Sequence, residues 1–256
     1  MEQPKTRNIQ KAQDNIRKVL SELGIIGEVV TVSPARTTEE LVEMGISKNY
    51  STIVAVGTDA HINKIATYIK NSHIVLGIIP IDGSPLLYQM IGASDIKELC
   101  ELLRFRKLKE VSMGAIEPNK YFLTQVEIQS PVSANVKITI INPGSDSYIA
   151  ETSMSEIIIS KNLYVFVTDK HKDKNLIKNT FNWMIGKKNS VVDQSILRGK
   201  KIKIETDEPI PVTLDGVIIA KTPIVATLYQ RALKIISKPA RIVIEEKERN
   251  NEETKH

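Results

Sequence analysis

The chain has 256 residues, with 35 lysines and arginines against 30 aspartates and glutamates, so its net charge is +5. Its 41% hydrophobic and 25% charged content is typical of a globular protein and excludes wholesale disorder. The single cysteine, Cys100, excludes an internal disulfide framework and indicates a reducing, cytoplasmic compartment, and no apolar run approaches the roughly 20 residues of a membrane-spanning helix.

The first third of the chain alternates helix and strand. Apolar spacing predicts helices over 8–23, from residue 37, and over 60–70, 86–90 and 95–104, with strands over 28–32, 51–56 and 73–81. Thr37 followed by Glu39 and Glu40 is typical of a capped helix start. Continuously apolar strands between helices favour a parallel sheet covered on both faces.

The pattern changes near Phe105 to short strands separated by turns, which predicts an antiparallel sheet or sandwich. Strands are expected over 110–115, 120–128, 135–141, 156–159, 163–168, 191–197, 201–206, 211–214 and 217–220, with a turn at 142–145 and apolar segments at 224–236 and 240–244. We therefore divide the chain into an α/β domain (1–105, completed by about 225–244), a β-sandwich domain (106–224) and a flexible tail (245–256).

The positive charge is concentrated in residues 161–203, which hold eleven Lys or Arg and three Asp and so carry +8, against −3 for the rest. Such a surface indicates an anionic partner. A predicted helix at 174–185 combines apolar residues, Trp183 and flanking lysines, so residues 170–188 could contact an anionic membrane peripherally. The alternative is an ordinary surface helix that packs on the sheet. With 5% aromatic residues and no recognisable module, nucleic acid is not expected as a partner.

The most distinctive local feature is the strand at 53–56, which ends at Gly57 and is followed at once by a helix. Backbone N–H groups at a helix start can bind an anion, and ligands of open α/β sheets bind at this edge of the sheet. A tight turn with Asp59 as a helix cap explains the same residues without a ligand.

Three motifs in order resemble the diacylglycerol kinase catalytic-domain family, which is related to sphingosine and NAD kinases. Residues 53–66 are similar to its Gly-Gly-Asp-Gly-Thr turn, and Leu76–Pro80 resembles the strand before its second loop. Pro209–Gly216 resembles Pro-x-x-Val-x-x-Asp-Gly-Glu, and 222–236 follows it in the family's order. The resemblance covers about residues 8–237 and implies the two-domain NAD kinase/diacylglycerol kinase-like fold, with an α/β domain and a C-terminal β-sandwich.

The resemblance also implies a function, namely transfer of the γ-phosphoryl group of ATP, with Mg²⁺, to the hydroxyl of a diacylglycerol-like or sphingoid lipid. The nucleotide would be bound at Gly57, Thr58, Asp59 and Asn63, and Asp215 would be the general base. Asp215-Gly216 is also the commonest signal for a hairpin turn, and the two interpretations are compatible.

Several positions depart from the family's pattern. Thr58 and Ala60 replace glycines, His61 replaces Thr, and Val217 replaces Glu. Residues 82–86 lack most polar groups of the second loop, residues 160–164 contain no carboxylate where the family holds a structural Mg²⁺, and the family's first strand is not recognisable. A catalytically inactive nucleotide- or lipid-binding member of the same fold is therefore the alternative, and NAD kinase is the third hypothesis.

No protein-held metal is predicted from residue spacing. The four histidines lie far apart in sequence, and Cys100 has no cysteine partner. The patterns of a serine-hydrolase elbow, a Walker loop and a dinucleotide-binding loop are also missing from the sequence.

Overall fold

The computed structural model describes residues 1–144, 147–169 and 195–239. Within these residues the helices are α1 (Arg7–Glu22), α2 (Thr38–Ser47), α3 (Asp59–Ile69), α4 (Pro85–Ile91) and α5 (Ile96–Phe105). The strands are β1 (Thr52–Gly57), β2 (Val75–Pro80), β3 (Leu108–Ile116), β4 (Lys120–Phe122), β5 (Gln125–Ile141), β6 (Tyr148–Ser160), β7 (Tyr164–Thr168), β8 (Ser195–Arg198), β9 (Lys201–Thr206), β10 (Pro211–Leu214), β11 (Val217–Lys221) and β12 (Ile224–Ile236).

Each helix begins behind a side chain that accepts a hydrogen bond from its first turn. The capping residues are Thr6, Thr37, Thr58, Ser84 and Asp95. At α2 the predicted start is confirmed as a full capping box, in which the Glu40 carboxylate also accepts from the Thr37 N–H. These caps satisfy amide groups that a helix start leaves without partners, and they fix where each helix leaves the preceding loop.

The first part of the sheet is parallel, as predicted. β1 pairs with β2 from Thr52 opposite Val75 to Gly57 opposite Pro80, so the two strands end side by side. Every residue of β2 is buried, and both α3 and α5 contact it, so both faces of this strand are covered. The start of α3 consequently lies at the carboxyl edge of the parallel strands, where α/β folds bind ligands.

The antiparallel strands continue from the same sheet through β12. The C-terminal end of β12 pairs in parallel with β2, while its N-terminal end pairs antiparallel with β9. β9 then leads to β5, β6, β7 and β8 in that order, β3 lies on β12, and the β10–β11 hairpin lies on β5. The long strand β12 therefore belongs to both the parallel and the antiparallel parts.

Two hydrophobic cores correspond to these two parts. One surrounds Ile62 and Leu76 between the helices and the parallel strands, and the other surrounds Ile138 and Ile204 among the antiparallel strands. This is the two-domain α/β fold with a large sheet that the sequence predicts. The domain limits stay a prediction, because β12 contributes residues to both cores.

The strand assignments differ from the structure in several places. The strand predicted over 28–32 is wrong, since its backbone pairs only with Met1, through Val30 and Val32, and is too short to form a ladder. The predicted strands at 120–128 and 135–141 are instead a short β4 and one long β5, whose pairing shifts between Gln129 and Ala134. The segment 224–236 is one continuous strand.

Some predictions fall outside the described residues. These are the helix at 174–185, the membrane contact at 170–188, the start of the strand at 191–197, the apolar segment at 240–244 and the tail at 245–256. In the part of the chain that is described, no helix has the length and apolarity to cross a membrane.

Candidate functional site

The turn between β1 and α3 is built around a glycine. Gly57 has a φ of +153°, which side-chain-bearing residues rarely adopt, and a Cβ at this position would lie 2.5 Å from a carboxylate oxygen of Glu2. Thr58 caps α3, its hydroxyl accepting from the His61 N–H at 3.5 Å. The absence of a side chain at Gly57 therefore lets the Glu2 side chain approach the backbone of the turn at the helix N-terminus.

Asp59 connects this turn to the next one along the sheet. Its Oδ1 accepts from the Ser84 N–H at 2.8 Å, and its Oδ2 accepts from the Ser84 hydroxyl. Only 7% of Asp59 is exposed. Because both carboxylate oxygens bind Ser84, Asp59 fixes the start of α4 against the start of α3.

Asn63 lies one turn further along α3 and points into the protein. Its Nδ2 donates to the Tyr121 carbonyl at 2.9 Å and its Oδ1 accepts from the Leu123 N–H at 2.8 Å. Both ends of the amide are therefore used to hold α3 against the backbone around β4. Phe122 and Leu123 belong to different hydrophobic cores, so these two hydrogen bonds of Asn63, here called the clamp at Asn63, lie where the two cores meet.

Asp215 reaches the same helix start from the antiparallel part. Asp215 and Gly216 have φ values of +50° and +74° between β10 and β11, which confirms the predicted hairpin turn. The Asp215 Oδ2 accepts from the Ala60 N–H at 3.3 Å. A carboxylate from residue 215 is thereby brought to the turn at residues 57–60.

The motif-based prediction missed Glu2. Its backbone N–H donates to the Val56 carbonyl at 2.8 Å, and its carboxylate accepts from the Thr58 N–H at 2.7 Å. An acidic residue at this position in the sequence carries no pattern that would reveal the contact. The Thr58 N–H therefore already binds an anionic oxygen, which belongs to the Glu2 carboxylate.

His61 is the second residue with an unforeseen environment. It is 7% exposed, and its Nε2 has no hydrogen-bond partner among the described residues. Burial lowers the pKa of His61 from 6.5 to about 4, so the ring is neutral at ordinary pH. A buried ring nitrogen without a partner at the start of α3 is a polar atom available to a ligand.

Several carboxylates lie at the turn between β1 and α3. Glu2, Asp59 and Asp215 all lie at the N-terminal end of α3, where the helix dipole favours negative charge. Within the described ranges, no group of three His, Cys, Asp or Glu side chains is arranged to hold a metal ion. The amides of Thr58 and Ala60 thus bind anionic oxygens, which come from the Glu2 and Asp215 carboxylates.

The chain is similar to one protein family and to several solved structures. Residues 4–116 match the family described as diacylglycerol kinase catalytic domain. A solved structure of a candidate diacylglycerol kinase from Bacillus anthracis str. Sterne is similar with a TM-score of 0.72 and 18% identity, covering 93% of this chain and 96% of that one. Another, a diacylglycerol kinase from the same organism, has a TM-score of 0.68 and 20% identity, over 89% and 92% of the two chains. None of the curated proteins matches the sequence significantly.

Proposed function

We propose that this chain, whose residues 4–116 match the diacylglycerol kinase catalytic domain, is an ATP-dependent lipid kinase. It would transfer the γ-phosphoryl group of ATP to the hydroxyl of a diacylglycerol-like or sphingoid lipid. The observation that supports this best is the hydrogen bond from the Ala60 N–H to Asp215, because it brings a carboxylate of the hairpin to the start of α3.

The described residues fit a phosphate group at the turn. At Gly57 the Glu2 side chain approaches the backbone closely, the Thr58 N–H already binds an anionic oxygen, and the buried Nε2 of His61 has no partner among the described residues. A nucleotide phosphate would take the place of the Glu2 carboxylate on Thr58. The carboxylates offer no three-ligand metal site in the described part of the chain, so Mg²⁺ would enter on the nucleotide phosphates and neutralise their charge.

Asp215 has the position of a general base in this proposal. Its carboxylate would accept the proton of the lipid hydroxyl while the hydroxyl oxygen forms a bond to the γ-phosphorus. The bond between that phosphorus and the bridging oxygen breaks, and ADP leaves. Apart from the long contact with Ala60, no described hydrogen bond or ion pair occupies Asp215.

The residues after the hairpin turn suit a lipid acceptor. Val217 and Ile218 are 56% and 59% exposed, and they directly follow Asp215-Gly216. An acyl chain packed on them would bury apolar surface and place its headgroup hydroxyl near Asp215.

The proposal is tested with ATP labelled at the γ-phosphate. Purified protein is incubated with diacylglycerol, a sphingoid base, NAD⁺ and a total lipid extract in turn. A labelled lipid product would support the lipid kinase. A labelled dinucleotide would instead support the NAD kinase hypothesis. If no acceptor becomes labelled, the proposal of catalysis is contradicted.

A non-catalytic binding protein on the same fold is the second candidate, because the turn is already engaged. The resemblance implies that Asp59 and Asn63 contact the nucleotide, but both side chains form hydrogen bonds within the protein. Asp59 accepts from Ser84, and Asn63 binds the backbone of Tyr121 and Leu123. Glu2 also occupies the Thr58 N–H. Calorimetric binding of ATP without any labelled product would favour this candidate over the kinase.

A further inference from the structure

A second polar cleft lies away from the Gly57–Ala60 turn. It has a volume of about 740 Å³ and lies between α4, the start of β3 and the turn that joins β6 to β7. Its described lining includes the polar side chains of Gln89, Lys109, Ser112, Thr124 and Lys161. The turn residues Gly57, Thr58, Asp59 and Asp215 do not line it, so the two places are separate.

Lys161 is the unusual residue of this cleft. Its backbone N–H donates to the Thr124 carbonyl at 2.8 Å, which fixes the turn, and its Nζ lies 2.9 Å from the sulfur of Met90. Across the described residues, no carboxylate lies within ion-pair distance of this ammonium. Burial, and to a smaller extent Lys109, lowers the pKa of Lys161 from 10.5 to about 8.

Lys161 is half-buried, and an ammonium that has lost part of its water without gaining an anionic partner is destabilised. The one acid in the described lining is Glu110, and its carboxylate lies 3.7 Å from Arg231. Lys109 adds a second positive charge at the rim, and the hydroxyls of Ser112 and Thr124 add hydrogen-bonding groups. The cleft thus combines positive charge, polar groups and a volume typical of small-molecule sites.

We propose that this cleft binds a phosphate-bearing ligand, with Lys161 as the charged contact and Lys109 as a second one. A phosphate group suits the site because lysine binds it as a point charge and because its oxygens can also accept from the two hydroxyl groups. The ligand is either a small phosphate ester or the headgroup of an anionic phospholipid. The site goes beyond the proposed kinase activity, since it requires neither ATP nor Asp215.

Binding is measured without nucleotide. Glycerol 3-phosphate is titrated by calorimetry, and phosphatidylcholine vesicles with and without phosphatidic acid are tested by co-sedimentation. The variants are Lys161→Met and Lys109→Gln, and Lys18→Met on the exposed face of α1 is the control with the same charge change.

We expect Lys161→Met to weaken binding about tenfold or more, Lys109→Gln to weaken it less, and Lys18→Met to leave it unchanged. Dependence on Lys161 with glycerol 3-phosphate identifies a small ester, and dependence seen only with phosphatidic acid identifies a lipid headgroup. Lys161→Met should fold at least as stably as the parent protein, because it removes an unpaired charge. Equal binding by the Met variant and the parent, or no binding to either probe, overturns the proposal.

Chemical labelling provides a second readout. An amine whose pKa is about 8 reacts with an acylating reagent near neutral pH faster than ordinary surface lysines. Peptide mass spectrometry should find Lys161 among the first lysines acetylated, and glycerol 3-phosphate or phosphatidic acid vesicles should protect it. Rapid labelling that neither probe slows would contradict an anion site at Lys161.

Discussion

Glu2 shows at single-residue level how an anion is bound at the start of α3. Its carboxylate accepts from the Thr58 N–H at 2.7 Å and would collide with any side chain at Gly57. A nucleotide phosphate at the same amide must displace this carboxylate and also overcome its negative charge. At the proposed nucleotide site, Glu2 would therefore compete with the nucleotide phosphate for the Thr58 N–H.

We predict that Glu2→Gln raises the affinity for ATP by about three- to tenfold, because it removes the competing charge at the helix N-terminus. Calorimetry measures the change, and Glu43→Gln on the exposed surface of α2 is the matched control. A lower affinity in Glu2→Gln would instead make Glu2 part of the nucleotide site.

His61 makes the stability of the protein depend on pH. Its pKa is lowered from 6.5 to about 4 by burial, so between these values the unfolded chain binds a proton that the folded chain does not. Its contribution is fully present above pH 6.5 and is lost as the pH falls toward 4. The loss can reach about 3 kcal/mol in the free energy of unfolding.

We predict that His61→Gln flattens the fall in stability over this pH range, whereas the exposed His73→Gln does not. Urea unfolding at a series of pH values measures the slope for each variant. If His61→Gln and the parent protein lose stability equally, His61 is not held neutral by burial.

Among the secondary-structure elements, the contact between α3 and β4 depends on Asn63. The side chain satisfies the Tyr121 carbonyl and the Leu123 N–H between the two cores. We predict that Asn63→Ala lowers the free energy of unfolding by about 2 to 4 kcal/mol, because both backbone groups lose their partner. Urea unfolding tests this, with Asn135→Ala on β5 as the control for an exposed amide.

The same pair of variants distinguishes two roles for Asn63. If Asn63→Ala keeps its stability and loses affinity for ATP, the residue is a nucleotide contact, as the family resemblance implies. If the affinity of the folded variant is unchanged, Asn63 serves to join α3 to β4.

Local patterns were sufficient to predict the helices and the parallel strands. A helix cap at Thr37 and a hairpin turn at Asp215-Gly216 depend only on neighbouring residues, and the structure confirms both. β12 was not foreseen as one strand, because its 13 residues pair with β2, β3 and β9, which are distant in sequence.

The site was predictable only where a motif carried it. Gly57, Asp59 and Asp215 match the family's motifs, and the structure brings them together with Thr58 at the start of α3. Glu2 and Lys161 were not singled out, because their importance arises from burial and from partners 56 and 71 residues away, Thr58 and Met90. Such contacts depend on the completed fold and leave no local trace in the sequence.

At the scale of the whole molecule, β12 and the hydrogen bonds of Asn63 connect the two hydrophobic cores. The β10–β11 hairpin of the antiparallel part thereby contacts the start of α3 in the parallel part. This is the arrangement that a phosphoryl transfer between two substrates requires, since nucleotide and acceptor must meet with their reacting atoms in line. We propose that Asp215 serves as the base where the hairpin meets the start of α3.

The most direct test compares phosphoryl transfer from γ-labelled ATP to lipid by the parent protein and by Asp215→Asn. Asp207→Asn, an equal loss of charge on an exposed loop, is the control. We predict that Asp215→Asn slows transfer by about 100- to 10,000-fold while ATP affinity stays within about threefold, since only the proton acceptor is lost. Transfer at an undiminished rate by Asp215→Asn, or none by the parent protein, would contradict the claim.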